Sequence, residues 1–159
     1  MYLLEQLNSF NWSMQSVIIF RLAIAAFLAS LIGWERDRAG KAAGTRTMAL
    51  VGTSAALIVA IGEVLNRELP FGDPTRALHA VVTGIGFLGA GLIFMGNRSN
   101  QIKGVTTSAT VFTTACMGVA VGLGFVWTGI AFTAITVFVL RSTQIFNTVY
   151  FWRRYEDED

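Results

Sequence analysis

The residues that could do acid–base, metal or nucleophilic chemistry stand at the edges of apolar stretches. The carboxylates Glu35, Glu63, Glu68 and Asp73 flank those stretches, and none lies at the middle of one. A divalent cation that sheds water reluctantly is usually met by carboxylates, so this placement does not fit a carboxylate-lined carrier. A path lined by backbone carbonyls and threonines stays open. No paired carboxylates, metal-ligand spacing or nucleophile beside a base is visible, so the sequence reads as a non-enzyme without a resident cofactor. His79 reads as an interfacial polar group rather than a proton relay. Cys116 is the single cysteine, which rules out an intrachain disulfide and suits a small apolar thiol in a helix interface. Gly84, Gly86 and Gly89 spell GxGxxG, the pattern of a dinucleotide phosphate loop. That loop needs a preceding strand and an acid about 20 residues on, and residues 99–109 contain no acid.

The elements that hold these residues follow from composition. Of 159 residues, 53% are apolar and 14% charged, against roughly 25% charged in soluble domains. The pattern predicts an all-α, polytopic membrane protein with five transmembrane helices. The first span runs from Met14 to Trp34 and the second from about Thr47 to Gly62, closed by Glu63. The third covers about Ala77 to Met95, with Asp73 capping it and Pro74 in its first position. The fourth covers roughly Val105 to Leu123, and a glycine turn leads to a fifth from about Phe125 to Leu140. No basic residue precedes the first span, which argues for a retained anchor rather than a signal peptide. Residues 1–13 then form an extracytoplasmic segment, 14–140 the membrane domain and 141–159 a cytoplasmic tail. The unbroken, aromatic-rich and basic start of that tail predicts an interfacial helix.

Orientation follows from the basic residues, which are retained on the cytoplasmic side. Arg36, Arg38, Lys41, Arg46, Arg98, Lys103, Arg141, Arg153 and Arg154 share one face, against Arg67 and Arg76, with Arg21 nearby, on the other. The N-terminus is therefore expected outside and the C-terminus inside. Arg21 falls within the outer hydrocarbon, where a charge needs a partner or must snorkel; Glu63 is the partner nearest in depth. Glu35, Arg36 and Arg46 converge at the inner ends of the first two spans and are expected to form a charge-assisted cluster, or to act as plain inside-positive anchors.

Small residues form stripes. On a helix, Gly84 and Gly91 share one face, while Gly86, Gly89 and Ala90 share the opposite one. This predicts a central third helix packed on both sides, in which Gly86→Leu disrupts folding more than Leu92→Ile. Thr106, Thr110, Thr114, Gly118 and Gly122 recur at every fourth position, and Gly52, Ala56 and Ala60 repeat the device. Small residues let helices approach closely in lipid, so these faces also suggest a homodimer.

The strings GWERDR (33–38), AGTRT (43–47), DPTR (73–76), GIGFLGAG (84–91) and KGVTTSAT (103–110) together resemble the MgtC/SapB family of bacterial inner-membrane proteins over about residues 15–140. The resemblance implies family positions at Gly33, Glu35, Arg36, Gly44, Arg46, Thr47, Asp73, Arg76, Gly84, Gly86, Gly89, Gly91, Gly104, Thr106 and Thr107. It departs at Thr45, where a bulkier apolar residue is expected, at Val105 for leucine, and at Ala80 for glutamine. The chain resembles the short type, which lacks a soluble C-terminal regulatory domain. The family implies a role in adaptation to low magnesium or acid stress, through modulation of another membrane complex such as a membrane ATPase or the F-type ATP synthase. The alternative is direct transport of Mg2+ or another cation. A lipid bilayer is the expected surrounding, and no nucleic-acid partner is expected.

Overall fold

The computed structural model describes residues 12–68, 73, 75–95 and 102–156; side chains at 13, 67, 68 and from 143 onward are outside the description. Among the described residues five helices follow in order: α1 (Trp12–Arg38), α2 (Thr45–Glu68), α3 (Arg76–Leu92), α4 (Val105–Gly122) and α5 (Val126–Glu156). The fold is all-α apart from two short strands, β1 (Phe94–Met95) and β2 (Ile102–Lys103). Three helices, α1, α2 and α4, are long and apolar enough to cross a membrane. The apolar parts of the other two, Arg76–Leu92 and Val126–Ser142, are shorter.

Most boundaries lie where the apolar runs place them. Two spans are exceptions: α2 runs through Glu63 to Glu68 instead of closing at Glu63, and α3 ends at Leu92 rather than Met95. Ile93 turns to an extended conformation, and β1 and β2 pair antiparallel with Phe94 opposite Lys103. Two residue pairs are too short a strand for alternating hydrophobicity to reveal. Gly104 follows at φ 89°, a conformation glycine adopts at little cost. A Cβ on Gly104 would fall 1.8 Å from the Leu92 carbonyl oxygen. At the other end, Gly124 takes φ 92° in the turn between α4 and α5.

Helices α1, α2 and α4 pack on one another; α5 lies against α1 and α4, and α3 against α4 and α2. The α2–α4 seam is the tightest contact. A Cβ on Gly118 would lie 2.2 Å from the Gly52 carbonyl oxygen, and one on Gly122 would lie 2.5 Å from that of Ala56. The predicted stripes therefore meet each other inside one chain. Only Thr106, at the start of the fourth-span stripe, is exposed. Threonine hydroxyls along the helices donate to their own preceding turn: Thr110 to Thr106 O at 2.7 Å, Thr114 to Thr110 O at 2.8 Å and Thr133 to Gly129 O at 2.8 Å. Such back-bonding satisfies a hydroxyl where water is absent.

The third helix is not central. Its buried residues are Val81, Ile85 and Gly89, one narrow stripe that lies between the two glycine faces on the helical wheel. Only Gly89 is a close-approach position, where a Cβ would meet Ser108 Oγ at 2.7 Å. A Cβ on Gly84, Gly86 or Gly91 would meet nothing within 4 Å. The expectation that Gly86→Leu damages folding is overturned with it, because that side chain would project away from the bundle.

Candidate functional site

The helix order places charged residues at two ends of the bundle. At one end, α1 turns into α2 through a corner that needs its glycines. A Cβ on Gly33 would fall 2.5 Å from Thr45 Cα, and one on Gly44 would overlap the Asp37 carboxylate. These two absences bring the end of α1 against the start of α2. Asp37 then accepts hydrogen bonds from the Thr45 backbone N–H at 3.0 Å and the Thr45 hydroxyl at 2.6 Å. Its carboxylate thus satisfies one of the donors that a helix start leaves open.

Glu35 and Arg36 lie inside this corner, each only 3% exposed, and the guanidinium donates through Nε and Nη2 to Glu35 Oε2. Arg36 also holds the loop through its backbone carbonyl, which accepts from Lys41 N at 3.0 Å. Removing one member of a buried pair leaves the other charge uncompensated, which costs more than the intact pair contributes. Of the three residues expected to cluster, Glu35 and Arg36 are buried together, whereas Arg46 is exposed on α2, as is Thr47. Arg38 stacks over the Trp34 ring at 3.8 Å to its centroid, a cation–π contact at the same end.

Asp37 belongs to the GWERDR string, yet the motif reading passes over it. Its signal is the pairing with Thr45, eight residues on across the turn. A threonine there supplies the hydroxyl that a bulky apolar residue would lack.

At the other end, Arg21 Nη1 donates to Glu63 Oε2 at 3.3 Å and to the Gly122 carbonyl at 2.9 Å. The pairing with Glu63 matches the expectation from depth. The second bond comes from topology: α4 ends beside α1, and a cation at a helix C-terminus is favoured by the open carbonyls and the helix dipole. A Cβ on Gly124 would fall 2.9 Å from Arg21 Nη2, so this turn glycine makes room for the guanidinium.

The remaining family positions are spread out. Asp73 Oδ1 accepts from the Thr75 N–H at 2.9 Å and the Thr75 hydroxyl at 2.7 Å. These bonds hold its carboxyl below the usual aspartate range, with the Thr75 hydroxyl the largest cause and the charges of Arg76 and His79 assisting. Asp73 does not make the expected cap: its carboxylate closes a turn onto Thr75, and Thr75, the N-cap of a helix that begins at Arg76, has no side-chain cap bond. Pro74 lies outside the described residues. Arg76, His79 and Thr106 are exposed and Thr107 is buried. A groove of 370 Å³ separates α2 from α3, walled by Leu50, Ser54, Ile58, Ala80, Gly84 and Leu88 among others. Ala80 keeps that wall apolar.

Helices of this length and composition, with their ionisable residues gathered at the bundle ends, define a multi-helix membrane protein. The MgtC family model matches residues 22–149. The chain belongs to the MgtC family. It is 38% identical over 133 residues to the putative magnesium transporter YhiD of Escherichia coli K12, covering 80% of this chain and 61% of that protein. Protein SrpB of Synechococcus elongatus is 35% identical over 130 residues, or 76% of this chain and 71% of SrpB. Protein MgtC of Brucella abortus is 39% identical over 105 residues, or 66% and 42%. The chain thus spans about three fifths of YhiD and less than half of that MgtC. No solved structure matches.

Proposed function

We propose that this chain acts in the bacterial inner membrane in adaptation to low magnesium or acid stress, by binding and modulating another membrane complex, such as a membrane ATPase or ATP synthase. The observation that carries this reading is the open face of α3. Gly84 and Gly91 share a face on which an added Cβ meets nothing, and between them Phe87 is 82% exposed. Small residues around a large aromatic suit close contact with a second membrane helix. A second copy of the chain, as a homodimer, would use the same face. The basic residues described at the Glu35 end, Arg36, Arg38, Lys41, Arg46, Lys103 and Arg141, support an N-out, C-in orientation.

Cation transport is the competing reading, favoured by the similarity to YhiD, named a putative magnesium transporter. Against it stand the α2–α4 seam, closed backbone to backbone, and the threonine hydroxyls that donate to their own helices. The test pairs growth complementation at low magnesium with Mg2+ flux into liposomes. Gly84→Leu and Gly91→Leu should abolish complementation at unchanged membrane abundance and lose a co-purifying membrane protein. Magnesium flux from the purified wild-type chain, unaltered by those substitutions, would overturn the proposal in favour of transport.

A further inference from the structure

The Arg21–Glu63 pair sits in a cleft that the bundle's own geometry creates. Helix α4 covers α2 at Gly52 and Ala56 and stops at Gly122. The next turns of α2 carry Ala60, Glu63 and Val64, which face Met14, Val17, Ile18 and Arg21 of α1 across a cleft of 310 Å³. Among the described residues the walls are apolar, and the charged groups are one cation and one anion, each 24% exposed at the side chain. Arg21 uses Nη1 for both of its bonds to Glu63 and Gly122. A guanidinium has five N–H donors and a carboxylate about four acceptor sites, so each group can serve several partners at once.

Charge decides what such a cleft accepts. An anion drawn to Arg21 is repelled by Glu63, and a cation drawn to Glu63 is repelled by Arg21. A ligand carrying an anionic and a cationic group a few ångströms apart meets neither penalty. Arg21 bonds the Gly122 carbonyl where α4 ends, which puts the cleft's charged pair at the end of a spanning helix, the level at which lipid head groups begin. Met14 and Val17, both partly exposed on α1, continue its apolar wall.

We propose that this cleft binds a phospholipid whose zwitterionic head group ends in a primary ammonium, with the phosphate on Arg21 and the ammonium on Glu63. Phosphatidylethanolamine has this chemistry. Its ammonium donates three hydrogen bonds; the trimethylammonium of phosphatidylcholine has no N–H to donate, and phosphatidylglycerol has no cation.

The test uses the full chain purified in mild detergent. Native mass spectrometry would read retention of phosphatidylethanolamine, phosphatidylcholine and phosphatidylglycerol with matched acyl chains at equal concentration. The wild type should retain the ethanolamine lipid about tenfold over the choline lipid, the discrimination expected of one charge-assisted hydrogen bond. Glu63→Gln should bring that ratio near one and raise phosphatidylglycerol retention, because the repelling carboxylate is gone. Should Glu63→Gln fail to fold, Val17→Trp fills the cleft from a half-exposed position on α1 and should remove the preference by itself. Equal retention of the ethanolamine and choline lipids by the wild type would overturn the proposal. So would an unchanged preference in Glu63→Gln. Soluble O-phosphoethanolamine that competes as well as the lipid would also overturn it, since the apolar walls would then contribute nothing.

Discussion

The α2–α4 seam and helix α3 are both built of small residues, yet the fold treats them oppositely. Along the seam, Gly118 and Gly122 press on the carbonyls of Gly52 and Ala56, and the two backbones touch. On α3, Gly84, Gly86 and Gly91 have open space where a side chain would be. The same sequence device therefore serves two ends: one set of glycines is consumed by folding, and the other remains for whatever lies outside the chain. Packing within the chain explains the first set completely. It explains only Gly89 of the second.

The comparison breaks most sharply at Gly118. Gly118→Val places branched carbon where the Gly52 carbonyl oxygen lies 2.2 Å away, and backbone cannot give way as a flexible side chain can. The expected cost is on the order of 4 kcal/mol or more, in the range tied to core overpacking. Gly86→Leu on α3 should stay within about 0.5 kcal/mol of wild type, as surface substitutions do. Thermal unfolding of both proteins in the same detergent checks the pair. Similar losses of stability in the two would mean that α3 packs inside the bundle after all.

Glu35→Gln comes next in size. Arg36 would keep its charge in a site where it is 3% exposed, and breaking a buried pair costs about 3 kcal/mol. Arg46→Gln, on an exposed residue of the same corner, should cost less than about 0.5 kcal/mol. Unfolding of the two variants separates a buried pair from a charged collar. Equal behaviour would restore the three-residue cluster expected from the sequence.

How much of this was legible beforehand depends on the kind of information each feature needs. The five helices follow from the length of apolar runs, which is local. The Arg21–Glu63 pair follows from depth, since two charges at one level in hydrocarbon have few other partners. The stripes were visible, but which stripe meets which is not a local property. Gly118 and Gly84 have equally small neighbours in sequence, and only the packing of α4 between α2 and α5 tells them apart. That Arg36 is buried and Arg46 exposed is not a local property either: proximity to the membrane boundary does not say on which side of a helix a side chain projects. Asp37 was missed because its meaning lies in Thr45, eight residues on across a turn.

The smallest expected effect concerns the loosely held helix itself. Asp73 anchors the approach to α3 by accepting the Thr75 hydroxyl and N–H, and these bonds keep its carboxyl below the usual range. A carboxylate whose pKa is lower in the folded state contributes stability that is present above the unfolded value, about 3.9, and is lost as pH falls through the folded one. Amide hydrogen exchange at Thr75 and Arg76 should therefore speed up relative to the pH trend of an unstructured peptide as the sample is taken from pH 6 to below pH 3. Asp73→Asn keeps an acceptor without a titrating proton, so its excess exchange should not change with pH. The α2–α4 seam has no part in this bond and should hold its protection over the same range in both proteins. If seam amides loosen together with Thr75, α3 and the seam form one cooperative unit, and the contrast between a closed bundle and an appended third helix fails.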